Sequence, residues 1–156
     1  CRYLVEGFDD QQCAALVSRR PVYLIESDRH AAEEALRPIL NKVPLQVEVG
    51  QGLRLDIEHI DHLGENCINF LNALEVPLEA WWNHIADREI IERQLDYVVK
   101  KAVGKRGFTA LEGFRNALRS KDNGRDKYPA TREFVRYLND RDAQRTTAAQ
   151  GPTGTV

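Results

Sequence analysis

The chain has 156 residues and a formal net charge of −2, with 42% hydrophobic and 29% charged residues. This composition is typical of one globular domain or two small ones, and it excludes a disordered or fibrous chain. No run of about 18 apolar residues occurs, which argues against a membrane-spanning helix. We therefore expect a soluble, cytoplasmic protein.

The first 55 residues are predicted to form a small α/β unit with the order strand, helix, strand, helix, strand, strand. The apolar runs at residues 3–5 and 22–25 predict the first two strands. Pro38 predicts a weakened end to the second helix. Alternating residues at 45–49, followed by a glycine-containing turn into residues 53–55, predict a hairpin.

After residue 55 the pattern changes to helices only. Glycines and prolines mark the breaks, as at Val76-Pro77 and at Gly124. Six helices are predicted, at about 56–64, 65–74, 78–86, 89–103, 108–120 and 129–139. The predicted fold class is thus α+β, with an α/β unit at 1–55, a six-helix bundle at 56–140 and a disordered tail at 141–156.

Three cysteines occur, Cys1, Cys13 and Cys67, an odd number that favours reduced thiols over a disulfide framework. The neighbours of Cys67 are typical of a buried helical stripe, so we expect this thiol to pack in the core. A catalytic thiol is the alternative.

Charge is segregated along the chain. Residues 53–98 contain three basic and ten acidic residues, whereas residues 99–132 contain ten basic and three acidic ones. Opposed potentials on one folded body raise encounter rates and orient partners. The pattern therefore favours a protein-binding module.

Several stretches resemble the death-fold superfamily. Residues 106–119 resemble the fifth-helix signature of caspase-recruitment domains, with matches at Gly107, Ala110, Leu111, Phe114, Ala117 and Leu118. Residues 68–74, followed by Pro77-Leu78, are similar to the second helix and its leucine-bearing turn, and residues 92–99 to the long fourth helix.

The resemblance covers roughly residues 55–140 and implies a six-helix bundle. It also implies assembly with itself or with another death-fold protein, in cell-death or innate-immune signalling, without cofactor or metal. The basic side of such a contact is predicted to comprise Lys100, Lys101, Lys105, Arg106, Arg115 and Arg119. The acidic side is predicted to comprise Asp56, Glu58, Asp61, Glu65 and Glu79.

Three alternatives remain open from the sequence. The basic residues at 99–132 would suit a nucleic-acid-binding domain, although the net charge of −2 opposes this. Glu6 resembles the strand-end glutamate of toprim enzymes, and Glu26 resembles the acid that holds a ribose in nucleotide-binding α/β folds. His59 and His62, with Asp56 one turn earlier, have a spacing that would suit a metal.

Overall fold

The computed structural model describes residues 2–99 and 108–149. Within them, seven α-helices and a small antiparallel sheet make an α+β protein. In chain order the elements are α1 (Arg2–Glu6), α2 (Asp10–Val17), β1 (Val22–Leu24), α3 (Arg29–Leu36), β2 (Gln46–Glu48), β3 (Gly52–Leu55), α4 (Ile57–Trp82), α5 (Arg88–Val99), α6 (Glu112–Lys121) and α7 (Pro129–Ala149). A 3₁₀ turn at Glu26–Asp28 leads into α3.

The sheet confirms the predicted hairpin. Its strands are ordered β1-β3-β2. The central strand β3 pairs with β1, where Leu24 lies opposite Leu53, and with β2, where Val47 lies opposite Leu53. The turn between β2 and β3 needs glycine because Gly50 and Gly52 have φ angles of 81° and 96°. A side chain at Gly52 would also place its Cβ 2.3 Å from the carbonyl oxygen of Leu24.

The predicted first strand is wrong, because residues 3–5 belong to helix α1. A three-residue apolar run does not distinguish a strand from a helix. Helix α1 buries Leu4 and Val5 in the core while Tyr3 stays 62% exposed. The backbone N–H of Phe8 donates to the Val5 carbonyl at 3.1 Å, which closes the turn at its end.

The predicted six-helix bundle is also wrong. Three helices were predicted between residues 56 and 86, but residues 57–82 form α4, a single helix of 26 residues that includes Gly64 and Pro77. Only four helices, α4 to α7, follow the sheet in the described part of the chain. Helix α6 begins at Glu112 instead of residue 108, and α7 runs ten residues further than predicted, to Ala149.

Burial on both halves of α4 explains why it continues through its helix breakers. An interior proline costs a helix about 3 kcal/mol and an interior glycine about 1 kcal/mol. Burying one large apolar side chain contributes about 1.5–3 kcal/mol. Helix α4 buries six of them fully or nearly so: Ile60, Leu63, Leu71, Leu74, Leu78 and Trp81.

The buried residues form two hydrophobic clusters, both of which include residues of α4. The first joins the sheet and α1 to α3 with Leu63 and Leu71 of α4 and Phe114 of α6. The second joins Leu78 of α4 with Phe134 of α7 and other residues. The division into two units at residue 55 stays a prediction.

Helices α4 and α7 meet at an aromatic contact in the second cluster. Trp81 packs edge-on against Phe134 with ring centroids 5.1 Å apart. Trp81 is 3% exposed and its neighbour Trp82 is 44% exposed, so the first tryptophan lies in the core and the second at its boundary.

Two remaining predictions can be placed only in part. The tail predicted as disordered starts inside α7, since residues up to Ala149 are helical, and residues 150–156 lie outside the described residues. Helix α5 was predicted to reach residue 103, but it is described only to Val99. None of the described helices combines the length and apolar character that a membrane span requires.

Candidate protein-interaction surface

Four of the predicted acidic residues share one side of α4. At about 100° per residue, Glu58, Asp61, Glu65 and Glu79 fall within about 60° around the helix axis and extend over about 32 Å of its length. The 26 residues of α4 contain no lysine or arginine. These four residues are named the acidic stripe.

Most of the acidic stripe is free to meet a partner. Glu58, Glu65 and Glu79 are exposed, and no ion pair joins them to another residue in the described ranges. Asp61 accepts a hydrogen bond at 2.7 Å from Nε of Arg19, which follows the end of α2. Both side chains of this pair are well exposed, and such surface pairs contribute only about 0–1 kcal/mol to stability. Asp61 can therefore leave Arg19 and pair with a cation of a partner at little cost in free energy.

Asp56, the fifth predicted acidic residue, is placed differently. It precedes α4 as its N-cap residue, and its Oδ1 lies 2.9 Å from Arg54 Nε of β3. Its backbone N–H donates to His59 Nδ1 at 3.1 Å. Asp56 therefore organises the start of α4 and is not part of the acidic stripe.

An apolar groove of about 470 Å³ runs between α2, α4 and α6, next to the acidic stripe. Its charged lining residues are Asp61 and Glu65 from the stripe, Arg19 and, from α6, Lys121. Its apolar lining residues are Leu16, Val17, Ile60, Ile68, Phe114 and Leu118. This cavity is called the α2–α4–α6 groove.

Gly64 opens the groove where it passes α4. It lies between Asp61 and Glu65 in the sequence of α4, and a Cβ built on it meets no heavy atom within 4 Å. Ile68, one turn further along, is 39% exposed. The groove thus offers apolar surface and unfilled space beside the exposed Asp61–Arg19 pair and Glu65, which has no ion pair within the described residues.

The basic side that the sequence predicts is only partly described. Lys100, Lys101, Lys105 and Arg106 lie outside the described residues. Arg119 is exposed on α6, where its Nε donates to the Gly124 carbonyl at 3.0 Å.

Arg115 does not offer its charge to solvent. It is 8% exposed, and its guanidinium donates to the carbonyls of Ala110 and Thr109 at 3.0 and 2.9 Å. Burial lowers the pKa of Arg115. Its place in the fold is therefore to hold the chain that leads into α6.

Glu6 supports the same turn from the other side. Its carboxylate accepts hydrogen bonds from the Leu111 N–H at 2.7 Å and from the Thr109 hydroxyl. Ala110 and Leu111 have φ angles of 41° and 59°, a left-handed conformation that costs residues other than glycine about 1–2 kcal/mol each. Glu6 lies in a helix with its carboxylate occupied, so it lacks the strand-end setting of a toprim glutamate.

The nucleotide and metal alternatives find little support in the geometry. Glu26 lies in a surface turn and pairs with Arg29 at 3.2 Å. His59 is fully buried; its Nδ1 accepts from Asp56, so the proton is on Nε2, which donates to the Val43 carbonyl at 2.8 Å. No group of three metal-binding side chains occurs among the residues that the structure describes.

Both described thiols are buried and protonated. Cys13 and Cys67 are each 1% exposed. Burial raises the pKa of Cys13 and that of Cys67 to about 12, with nearby acidic residues adding to the effect. Because the thiolate is the nucleophile, neither cysteine is suited to catalysis. The prediction that Cys67 packs in the core is confirmed.

The groove could not be assembled from the sequence, since its walls come from three helices far apart along the chain. The predicted helices 56–64 and 65–74 divide at a position where the structure has one continuous helix. The available signal was a single glycine inside an otherwise helical pattern, where glycine costs about 1 kcal/mol relative to alanine. Comparison with known proteins found no matching family model, no matching curated protein and no matching solved structure.

Proposed function

We propose that this chain is a protein-interaction module that docks basic segments on α4. The observation that carries the proposal is the acidic stripe itself: four carboxylates on one side of a helix without a single lysine or arginine. Three of the four, Glu58, Glu65 and Glu79, make no ion pair within the described residues. A basic partner would supply the missing counter-charge.

The acidic stripe and the groove would contribute to binding in different ways. Exposed ion pairs each contribute about 0–1 kcal/mol, so the acidic stripe would mainly accelerate encounter and fix orientation. Affinity would come from apolar burial, at about 25 cal/mol per Å². The α2–α4–α6 groove lies directly beside the stripe and provides such surface.

Nucleic-acid binding is supported less well. Phosphates would be repelled by the acidic stripe, and several basic side chains of the described part already have partners. Lys121 Nζ donates to the Val17 carbonyl at 2.8 Å, and Arg132 pairs with Asp126 at 2.6 Å.

Assemblies of the chain with itself are the simplest case, because its own sequence contains both charge signs. A role in cell-death or innate-immune signalling stays a prediction from the resemblance alone. The single helix α4 stands where that resemblance implies several shorter ones.

The test is sedimentation velocity across protein concentration at low and high salt. We expect oligomers that dissociate in salt, and at least tenfold weaker association for Glu58→Lys/Glu65→Lys. The matched control is Glu34→Lys/Asp140→Lys, which makes the same change in net charge at exposed sites on α3 and α7. Equal loss in both variants would show a net-charge effect and would refute docking on the stripe.

A further inference from the structure

Trp81, Glu92 and Tyr137 form a cluster where the end of α4 meets α5 and α7. The Glu92 carboxylate accepts one hydrogen bond on each oxygen, from Trp81 Nε1 at 3.0 Å and from the Tyr137 hydroxyl at 2.8 Å. The two rings contact each other, with centroids 5.3 Å apart. The cluster therefore holds one negative charge in a fixed position beside two aromatic rings.

Such a cluster has the chemistry of a cation site. Aromatic faces attract cations, and an ionised carboxylate that already accepts two hydrogen bonds has lone pairs left for a charged donor. A guanidinium suits this combination better than an ammonium, because it is planar, stacks on a ring and presents paired N–H groups to a carboxylate. The ligand class that matches the cluster is therefore an alkylguanidinium, such as an arginine side chain.

Arg88, in the first turn of α5, already occupies this site. Its guanidinium carbon lies 4.4 Å from the centre of the Trp81 ring and 5.7 Å from the centre of the Tyr137 ring. Trp81 is only 3% exposed, whereas the Arg88 side chain is 38% exposed, so Arg88 lies between the indole ring and solvent. Withdrawing the Arg88 side chain would open the face of Trp81.

Arg88 is a poorly bonded occupant. Its Nε lies 3.9 Å from Glu92 Oε1, which is beyond hydrogen-bond distance, and its guanidinium donates no hydrogen bond within the described ranges. The basic residue comes first in this i,i+4 pair, which is the less favourable order on a helix. The positive end of the α5 dipole also disfavours a cation in the first turn. A ligand that is not tied to α5 could bond Glu92 more closely.

A second cation shares the carboxylate of Glu92. Arg141 of α7 places its Nη1 3.7 Å from Glu92 Oε2, and its guanidinium carbon lies 5.7 Å from the centre of the Tyr137 ring. Two guanidinium groups thus face one negative charge, and like charges close together repel each other. This repulsion lowers the cost of displacing Arg88, which is held by the stack on Trp81 alone.

We infer that Trp81, Glu92 and Tyr137 form a binding site for an arginine side chain, which Arg88 fills until a ligand displaces it. The inference goes beyond docking on the acidic stripe, because Trp81 lies about 170° around the axis of α4 from the middle of the stripe. An arginine within a partner protein and free arginine present the same guanidinium group.

The two tryptophans allow the site to be tested with an internal control. Each indole N–H gives its own signal in a proton–nitrogen NMR spectrum, and Trp82 lies at the boundary of the core, 44% exposed. We expect N-acetyl-L-arginine amide to shift the Trp81 signal saturably and to shift the Trp82 signal much less. N-acetyl-L-citrulline amide has nearly the same shape without the charge and should shift neither. Equal shifts with the two compounds would refute a cation site.

Variants at Arg88 test whether it competes with the ligand. A site that is filled for most of the time binds with an affinity reduced to the fraction that is open, so Arg88→Ala should tighten binding of N-acetyl-L-arginine amide about tenfold. Arg88→Gln keeps part of the side chain over Trp81 and should also tighten it. Arg93→Ala makes the same charge change at an exposed position of α5 and should alter affinity less than twofold. Unchanged or weaker binding in both Arg88 variants would overturn the inference.

The carboxylate is tested where Arg88 no longer competes. In Arg88→Gln/Glu92→Gln, an amide oxygen can still accept from Trp81 Nε1, but the negative charge is lost, and we expect binding at least tenfold weaker than in Arg88→Gln. Retained affinity would refute the role of Glu92. Unmodified L-arginine separates the two sources of the ligand: equal affinity favours the free amino acid, and weaker binding than the capped compound favours an arginine within a chain.

The arginine site and the acidic stripe can fail independently. Glu58→Lys/Glu65→Lys should leave the affinity for N-acetyl-L-arginine amide within twofold of the unmodified chain, because the stripe is on the other side of α4. No saturable shift of the Trp81 signal in Arg88→Gln, at any concentration of the compound, would overturn the site and leave docking on the stripe untouched.

Discussion

Thr131, at the start of α7, is tied to Glu75 in the middle of α4 by two hydrogen bonds to one carboxylate oxygen. The Thr131 N–H donates to Glu75 Oε2 at 3.0 Å and its hydroxyl donates to the same atom at 2.7 Å. Ala130 N–H donates to Oε1 at 2.8 Å. Helix N-termini carry unpaired N–H groups and a positive dipole end, so a buried carboxylate is well matched to this place.

Removing this carboxylate should destabilise the fold. In Glu75→Ala, the N–H groups of Ala130 and Thr131, both fully buried, lose their acceptor. Leaving buried donors unsatisfied costs about 1–3 kcal/mol, and we expect a loss of about 3 kcal/mol in the free energy of unfolding. Urea denaturation measures it. The exposed Glu79→Ala should change stability by less than about 0.5 kcal/mol, and a similar loss in both variants would contradict the anchoring role.

The turn before α6 should depend on Glu6. In Glu6→Ala, the left-handed conformation at Leu111 loses the acceptor of its N–H group. We expect a loss of about 2 kcal/mol in the free energy of unfolding, with faster amide hydrogen exchange at Leu111. Glu34→Ala, at an exposed site on α3, is the control. Unchanged exchange at Leu111 would show that Arg115 holds the turn without Glu6.

The interior proline of α4 is expected to reduce stability. Pro77→Ala restores a backbone N–H that can donate to the carbonyl four residues earlier. The gain of about 3 kcal/mol is offset by about 0.4–1 kcal/mol because the unfolded chain becomes more flexible. We expect the melting temperature to rise by about 4–8 °C. A lower melting temperature would mean that the proline ring makes a contact the helix needs.

The described thiols should be unreactive in the folded protein. With a pKa of about 12, only about one molecule in ten thousand carries the thiolate of Cys13 or Cys67 at pH 8. In a Cys1→Ser variant, we expect no labelling by iodoacetamide over an hour, and labelling of both cysteines in denaturant. Mass spectrometry reads the result, and labelling of either thiol in the native state would contradict its burial.

The same burial makes stability depend on alkaline pH. Folding raises the thiol pKa from its ordinary value of 9.0 to about 12, so the folded state disfavours the thiolate. The contribution is complete below pH 9 and is lost as the pH rises toward 12. The urea concentration at the unfolding midpoint should therefore decrease as the pH rises from 8 to 10.5. The decrease should be less steep in Cys13→Ala/Cys67→Ala. Burial also raises the pKa values of Tyr128 and Tyr137, so part of the loss of stability at alkaline pH should persist in that double variant.

The sequence predicts those features whose interacting residues lie within a few positions of each other or in adjacent strands. The hairpin glycines and the alternation of Leu53 and Leu55 have their partners close by in the chain or in an adjacent strand. What the sequence could not show is how distant burial overrides local breakers. Pro77 and Gly64 disfavour a helix locally, and only the two clusters on either half of α4 decide the outcome.

The candidate site also has a part that the sequence predicts and a part that it does not. The acidic stripe follows from helical periodicity, so its four residues were predictable once α4 is a helix. Arg115 was predicted at a surface from its charge, but its partners are the carbonyls of Thr109 and Ala110 in a left-handed turn that has no sequence signature. The groove depends on the packing of α2 against α6, which no spacing along the chain encodes.

Because one uninterrupted helix enters both hydrophobic clusters, neither cluster can melt by itself without fraying the element that completes the other. Phe70, near the middle of α4, packs against both. The chain should therefore behave as a single cooperative unit in calorimetry despite having two separate cores. If the chain is the interaction module proposed above, strain applied at one end of α4 would pass directly to the other.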